Sequence, residues 1–88
     1  MIDPSVCLRQ VDGIEVNEVS DGYVIYDPVR DRAHYLNHTA VLLLELCTGR
    51  VSAGELPGLV QAAYGLPAPP EEEVFGCVGR LIDEGLLR

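Results

Sequence analysis

Along this 88-residue chain the apolar positions follow two different periods. Over residues 13–19, GIEVNEV sets Ile14 and Val16 against Glu15 and Asn17, and this period of two predicts a strand with one face buried. Ser20, Asp21 and Gly22 supply a turn, since an Asp-Gly pair accommodates a positive φ. YVIYD at 23–27 is rich in β-branched and aromatic residues and predicts a central strand covered on both faces. Pro28 and its neighbouring aspartates mark a longer hairpin loop, after which AHYL at 33–36 returns as a third strand. The three strands make an antiparallel meander whose edges are the first and the third.

From Asn37 the period becomes helical. Asn37 stands where a strand stops and an apolar run begins, and its side chain can accept a hydrogen bond from an amide of the new first turn. Ala40, Leu43, Leu44 and Cys47 fall on one stripe, Val41 and Leu46 widen it, and Gly49 is placed as the left-handed stop. Ser52 and Glu55 have capping-box spacing ahead of Leu56, Leu59, Val60 and Ala63. An interior Pro57 would lose a helical hydrogen bond, so this second helix starts either at the Ser52 box or with Pro57 in its first turn, and it ends at Tyr64-Gly65. Pro70 followed by Glu71, Glu72 and Glu73 is the clearest helix start, with carboxylates facing the positive end of the dipole. Val74, Val78, Leu81 and Ile82 form the third stripe, Phe75 and Cys77 flank it, and Gly85 ends it so that Leu86 folds back on Leu81. Three strands followed by three helices predict an α+β, winged-helix-like fold, with residues 1–12 as an N-terminal arm and 13–88 as a single domain.

Composition and charge restrict what such a fold can do. A chain of this length supports one core, and 14 acidic residues against 6 arginines, with no lysine, leave a net charge of -8. That field repels phosphate, so no nucleic-acid partner is expected and any charged partner should be basic. No run approaches the ~18 apolar residues of a membrane span, and MIDPSVCLRQ has no signal-peptide pattern, so a cytoplasmic protein with no membrane partner is expected. Cys7, Cys47 and Cys77 are odd in number, widely spaced and form no CxxC, which reads as reduced thiols rather than a disulfide or zinc site.

Catalytic chemistry finds no carrier. A nucleophile needs an adjacent base and an orienting group, whereas the cysteines are scattered and His34 and His38 straddle a strand-to-helix junction. The carboxylates of Glu71 to Glu73 are accounted for by the helix start, and GRVSAG matches no phosphate loop. No enzyme, cofactor or metal is expected. An interaction surface is: an edge strand usually carries Lys, Pro or a bulge against pairing with another chain, and AHYL carries none. An added peptide strand needs a wall beside the sheet, and the third helix, whose wide apolar arc is bordered by Cys77, Arg80 and Glu84, is the candidate. The alternative is an arc wholly in the core and an edge closed by a symmetric dimer, so monomer and homodimer both stay open.

YVIYDPVRDRAHYLNHTAVLLLELCTGR at 23–50 and EEEVFGCVGRLIDEGLLR at 71–88 resemble the PqqD-like family over residues 22–87. That family comprises small recognition domains for ribosomally made, post-translationally modified peptides. The resemblance implies a non-catalytic peptide chaperone that binds the leader segment of a precursor peptide as an antiparallel strand on the third strand, against the third helix. It would present the peptide to a maturase, often a radical S-adenosylmethionine enzyme. Carried onto this chain, the peptide-binding residues would be Arg32, Ala33, His34, Tyr35 and Leu36 on the strand, with Val74, Cys77, Val78, Arg80 and Leu81 on the helix. The first helix lacks the aromatic residue and Asp-Gly ending common in the family. A winged-helix DNA-binding regulator and a dimerising scaffold or regulatory subunit are the competing classes.

Overall fold

The computed structural model describes residues 2–88. Among them the order is β1 (Cys7–Arg9), β2 (Glu15–Val19), β3 (Gly22–Asp27), β4 (Arg32–Leu36), α1 (His38–Leu46), β5 (Thr48–Ser52), a 3-10 turn (Ala53–Glu55), α2 (Leu56–Tyr64) and α3 (Glu71–Asp83). The chain is α+β with two antiparallel sheets and three helices. The expected meander is the larger sheet, ordered β2-β3-β4, with Ile25 opposite Val16 on one side and His34 on the other.

The second sheet departs from the expected plan of three strands and then three helices. β5 lies between α1 and α2 and pairs with β1. Helix α1 therefore ends at Leu46 rather than reaching Gly49, and the Cys47 N–H closes it by donating to the carbonyls of Leu43 and Leu44. Gly49 does adopt positive φ, +86°, but within β5, where Cys7 faces Ser52 and Arg9 faces Thr48 across a bulge. Residues ahead of position 13 are drawn into the fold: Leu8 is buried, and Arg9 exchanges backbone hydrogen bonds of 2.9 Å with Arg88.

One core joins the pieces. Ile25 and Leu36 of the larger sheet meet Leu43 and Leu44 of α1, Leu56 and Val60 of α2, and Val74, Val78 and Leu81 of α3. Helix α1 packs over β3 and β4, and α3 packs on α1 and α2. β2 lies beyond the cover of α1, so all its residues are exposed and the predicted buried face reduces to Ile14 just before it. β3, which α1 does cover, is covered on one face only: Ile25 and Asp27 are buried, while Val24 and Tyr26 on the opposite face are half-buried. The Ser20-Asp21 turn uses no positive φ. Expected helix boundaries hold elsewhere: Asn37 Oδ1 accepts from the Ala40 N–H at 2.9 Å, Pro57 sits in the first turn of α2, and Gly65 closes that helix. Beyond α3, the Leu86 N–H donates to the Leu81 carbonyl at 2.9 Å.

Candidate functional site

β4 is a terminal strand of its sheet, so alternate N–H and C=O groups along it have no strand partner on the outer side. Its position is held from three directions. Leu36 is buried in the core. Tyr35 lies on the opposite face, where its hydroxyl donates to the Asp21 carbonyl at 2.6 Å. That route crosses Gly22, and a Cβ there would stand 2.6 Å from the Tyr35 hydroxyl oxygen and 2.8 Å from the Leu36 carbonyl oxygen. His34 Nδ1 lies 3.4 Å from Glu84 Oε2, tying the strand to the end of α3.

Beside this edge runs a cleft of about 160 Å³. Tyr35 and Leu36 form one wall, Cys77 and Leu81 the floor, and Arg80 with Glu84 the far rim. The floor is apolar: Leu81 is 2% exposed and Cys77 8%. Burial pushes the Cys77 thiol above its ordinary pKa, with the Arg80 guanidinium pulling the other way, so it stays a neutral soft group at physiological pH. Burial first, then the Asp21 carboxylate, keeps the Tyr35 hydroxyl protonated and able to donate. Cys47, deep in the core, is pushed up to about 11 by burial and takes no part.

Tyr35, Leu36, Cys77, Arg80 and Leu81 thus meet at one cleft. His34 stands at its end through Glu84. Arg32 and Ala33 are exposed further along β4 and do not line it. Val78 is 0% exposed and Val74 1%; neither lines this cleft, and both pack between α3 and the core. Sequence reading missed Ala40 of α1, a lining residue whose small size on the helical stripe was its only signal. Asn37, recognised as a cap, is also part of the wall. His38, by contrast, packs edge-on against Tyr23 with ring centroids 5.3 Å apart, which secures α1 to β3.

The family model described as coenzyme PQQ synthesis protein D (PqqD) matches residues 22–87. This chain belongs to the PqqD family. The PqqD match begins at Gly22, the residue Tyr35 crosses, and covers β3, β4, β5 and all three helices, hence every lining residue of the cleft. β1 and β2 lie ahead of the PqqD match. No curated protein and no solved structure matches the chain.

Proposed function

We propose that this PqqD-family chain is a non-catalytic peptide chaperone. It binds the leader segment of a ribosomal precursor peptide as an added antiparallel strand on β4, against α3, and presents it to a modifying enzyme of the radical S-adenosylmethionine type. The observation that carries this reading is an unpaired strand edge lying directly beside an apolar-floored cleft. Main-chain hydrogen bonds along β4 supply affinity without regard to sequence, and the cleft over Cys77 and Leu81 selects side chains. Ordering a flexible peptide costs about 2–5 kcal/mol of its gross interaction energy, so the apolar floor has to contribute beyond the ladder. The competing DNA-binding reading is disfavoured because α3 and the residue after it carry Glu71, Glu72, Glu73, Asp83 and Glu84 against Arg80 alone.

The test is an NMR titration with the leader peptide encoded beside this gene. Amide shifts are expected at residues 33–36 and along α3, and shifts confined to other elements would refute the reading. Tyr35→Pro removes an edge-strand donor and should abolish binding while circular dichroism still reports a folded domain.

A further inference from the structure

The cleft beside β4 does not end at Leu36. Past Asn37, Cys77 and Arg80 it opens into a second hollow of about 580 Å³ between the start of α1 and the first turns of α3, with Glu72 and Glu73 on its wall. Past Thr39 and Glu73 it opens again into a third hollow of about 320 Å³, whose walls are largely apolar: Val60, Tyr64, Leu66, Pro70 and Val74. Adjacent hollows share these residues, so the three follow one another as a path along the seam between α1 and α3. Tyr64 and Leu66 at its end are 48% and 36% exposed, so apolar surface is open to a ligand there. Among the described residues, Glu72 and Glu73 make no salt bridge.

The direction of the path is fixed by topology. The chain from Arg32 to Thr39 passes α3 from its C-terminal end toward its N-terminal end, since His34 meets Glu84 while Thr39 shares a hollow with Glu73. A strand antiparallel to β4 meets Leu36 before Arg32, so the residues preceding its paired segment are those that enter the second and third hollows.

We infer that this domain recognises a peptide by a flank N-terminal to the added strand, in which an apolar side chain fills the Tyr64–Leu66–Val74 hollow and a Lys or Arg, a few residues later, sits against Glu72 and Glu73. The inference rests on the strand-addition reading and adds the specificity that reading lacks. Charge complementarity selects a basic peptide as the occupant over a second copy of this chain, because two copies of net charge -8 would repel across an acidic wall.

The experiment uses a displayed library of random 16-residue peptides selected on the full chain, with the enriched peptides then measured individually as synthetic peptides. Enriched sequences are expected to carry an apolar residue, then Lys or Arg, ahead of an alternating segment. Glu72→Gln with Glu73→Gln should weaken them about fivefold at low salt and less at high salt, and Tyr64→Ala with Leu66→Ala about tenfold. Both double variants alter exposed residues, and circular dichroism checks that they fold. Peptides that Tyr35→Pro abolishes but neither double variant weakens overturn this inference and leave strand addition standing. Peptides indifferent to Tyr35→Pro, or no enrichment at all, overturn both.

Discussion

Gly22 and Tyr35 show how a single missing side chain shapes the candidate site. Gly22 resembles an ordinary turn glycine in sequence, yet its φ is not positive and its role is to let the Tyr35 ring and hydroxyl pass over the backbone. Gly22→Ala puts a methyl against both the hydroxyl and the fixed carbonyl of Leu36, and only the hydroxyl can swing away. A loss of about 1–3 kcal/mol in urea unfolding is expected, with the amides of β4 most perturbed; an unchanged midpoint would show that the ring is free to relocate. β4 was legible as the strand returning after the Pro28 loop, but the partner of Tyr35 was not, because a hydrogen bond to a backbone carbonyl leaves no mark on the residue that accepts it. Val74 and Val78 illustrate the converse. Their helical spacing marks them as apolar, and spacing alone does not say whether an apolar arc faces a core or a groove.

Among the elements, helix starts were the most legible feature because capping chemistry is local. The carboxylate of Glu55 accepts from the Ser52 N–H at 2.8 Å and from its hydroxyl at 2.9 Å, the amide first and the hydroxyl second holding the Glu55 pKa below the usual range. A folded pKa below the unfolded one means that this contribution is complete above the unfolded value and is lost as pH falls through the folded value. The stability gap between the native chain and Glu55→Gln should therefore narrow as thermal unfolding is followed from about pH 7 to about pH 3. A gap that stays constant or widens would show that the contact does not depend on the charge. Helix ends and β5 were less legible. Gly49 carries the expected backbone conformation, but in a bulged strand, because the chain after Cys47 has a pairing partner some forty residues earlier whose three-residue sequence has no period to detect.

Across the whole molecule the small β1–β5 sheet closes the core around Leu8 and Leu87, although β1 lies ahead of the family match. Deleting residues 1–12 removes Leu8 from the core, uncovers Leu87 and removes the hydrogen bonds between Arg9 and Arg88. A shortened chain of residues 13–88 should lose at least about 2 kcal/mol, the cost of deleting one buried leucine side chain, and unfold at lower urea. Equal midpoints would restore residues 1–12 to the status of an arm. The net charge of -8 also acts at this scale: association with a basic peptide should slow as ionic strength rises, while the dissociation rate changes little. An association rate independent of salt contradicts that expectation.

The sequence by itself determined the meander, the three helix starts and the unprotected edge at residues 33–36. Each follows from interactions between near neighbours. Tertiary structure alone decided which strands are covered, where α1 ends, that residues 7–9 belong to the fold, and that a row of adjacent hollows leads from β4 to Tyr64 and Leu66. Those outcomes depend on how far α1 reaches across the sheet and on pairings between distant segments, and neither is encoded in a local period.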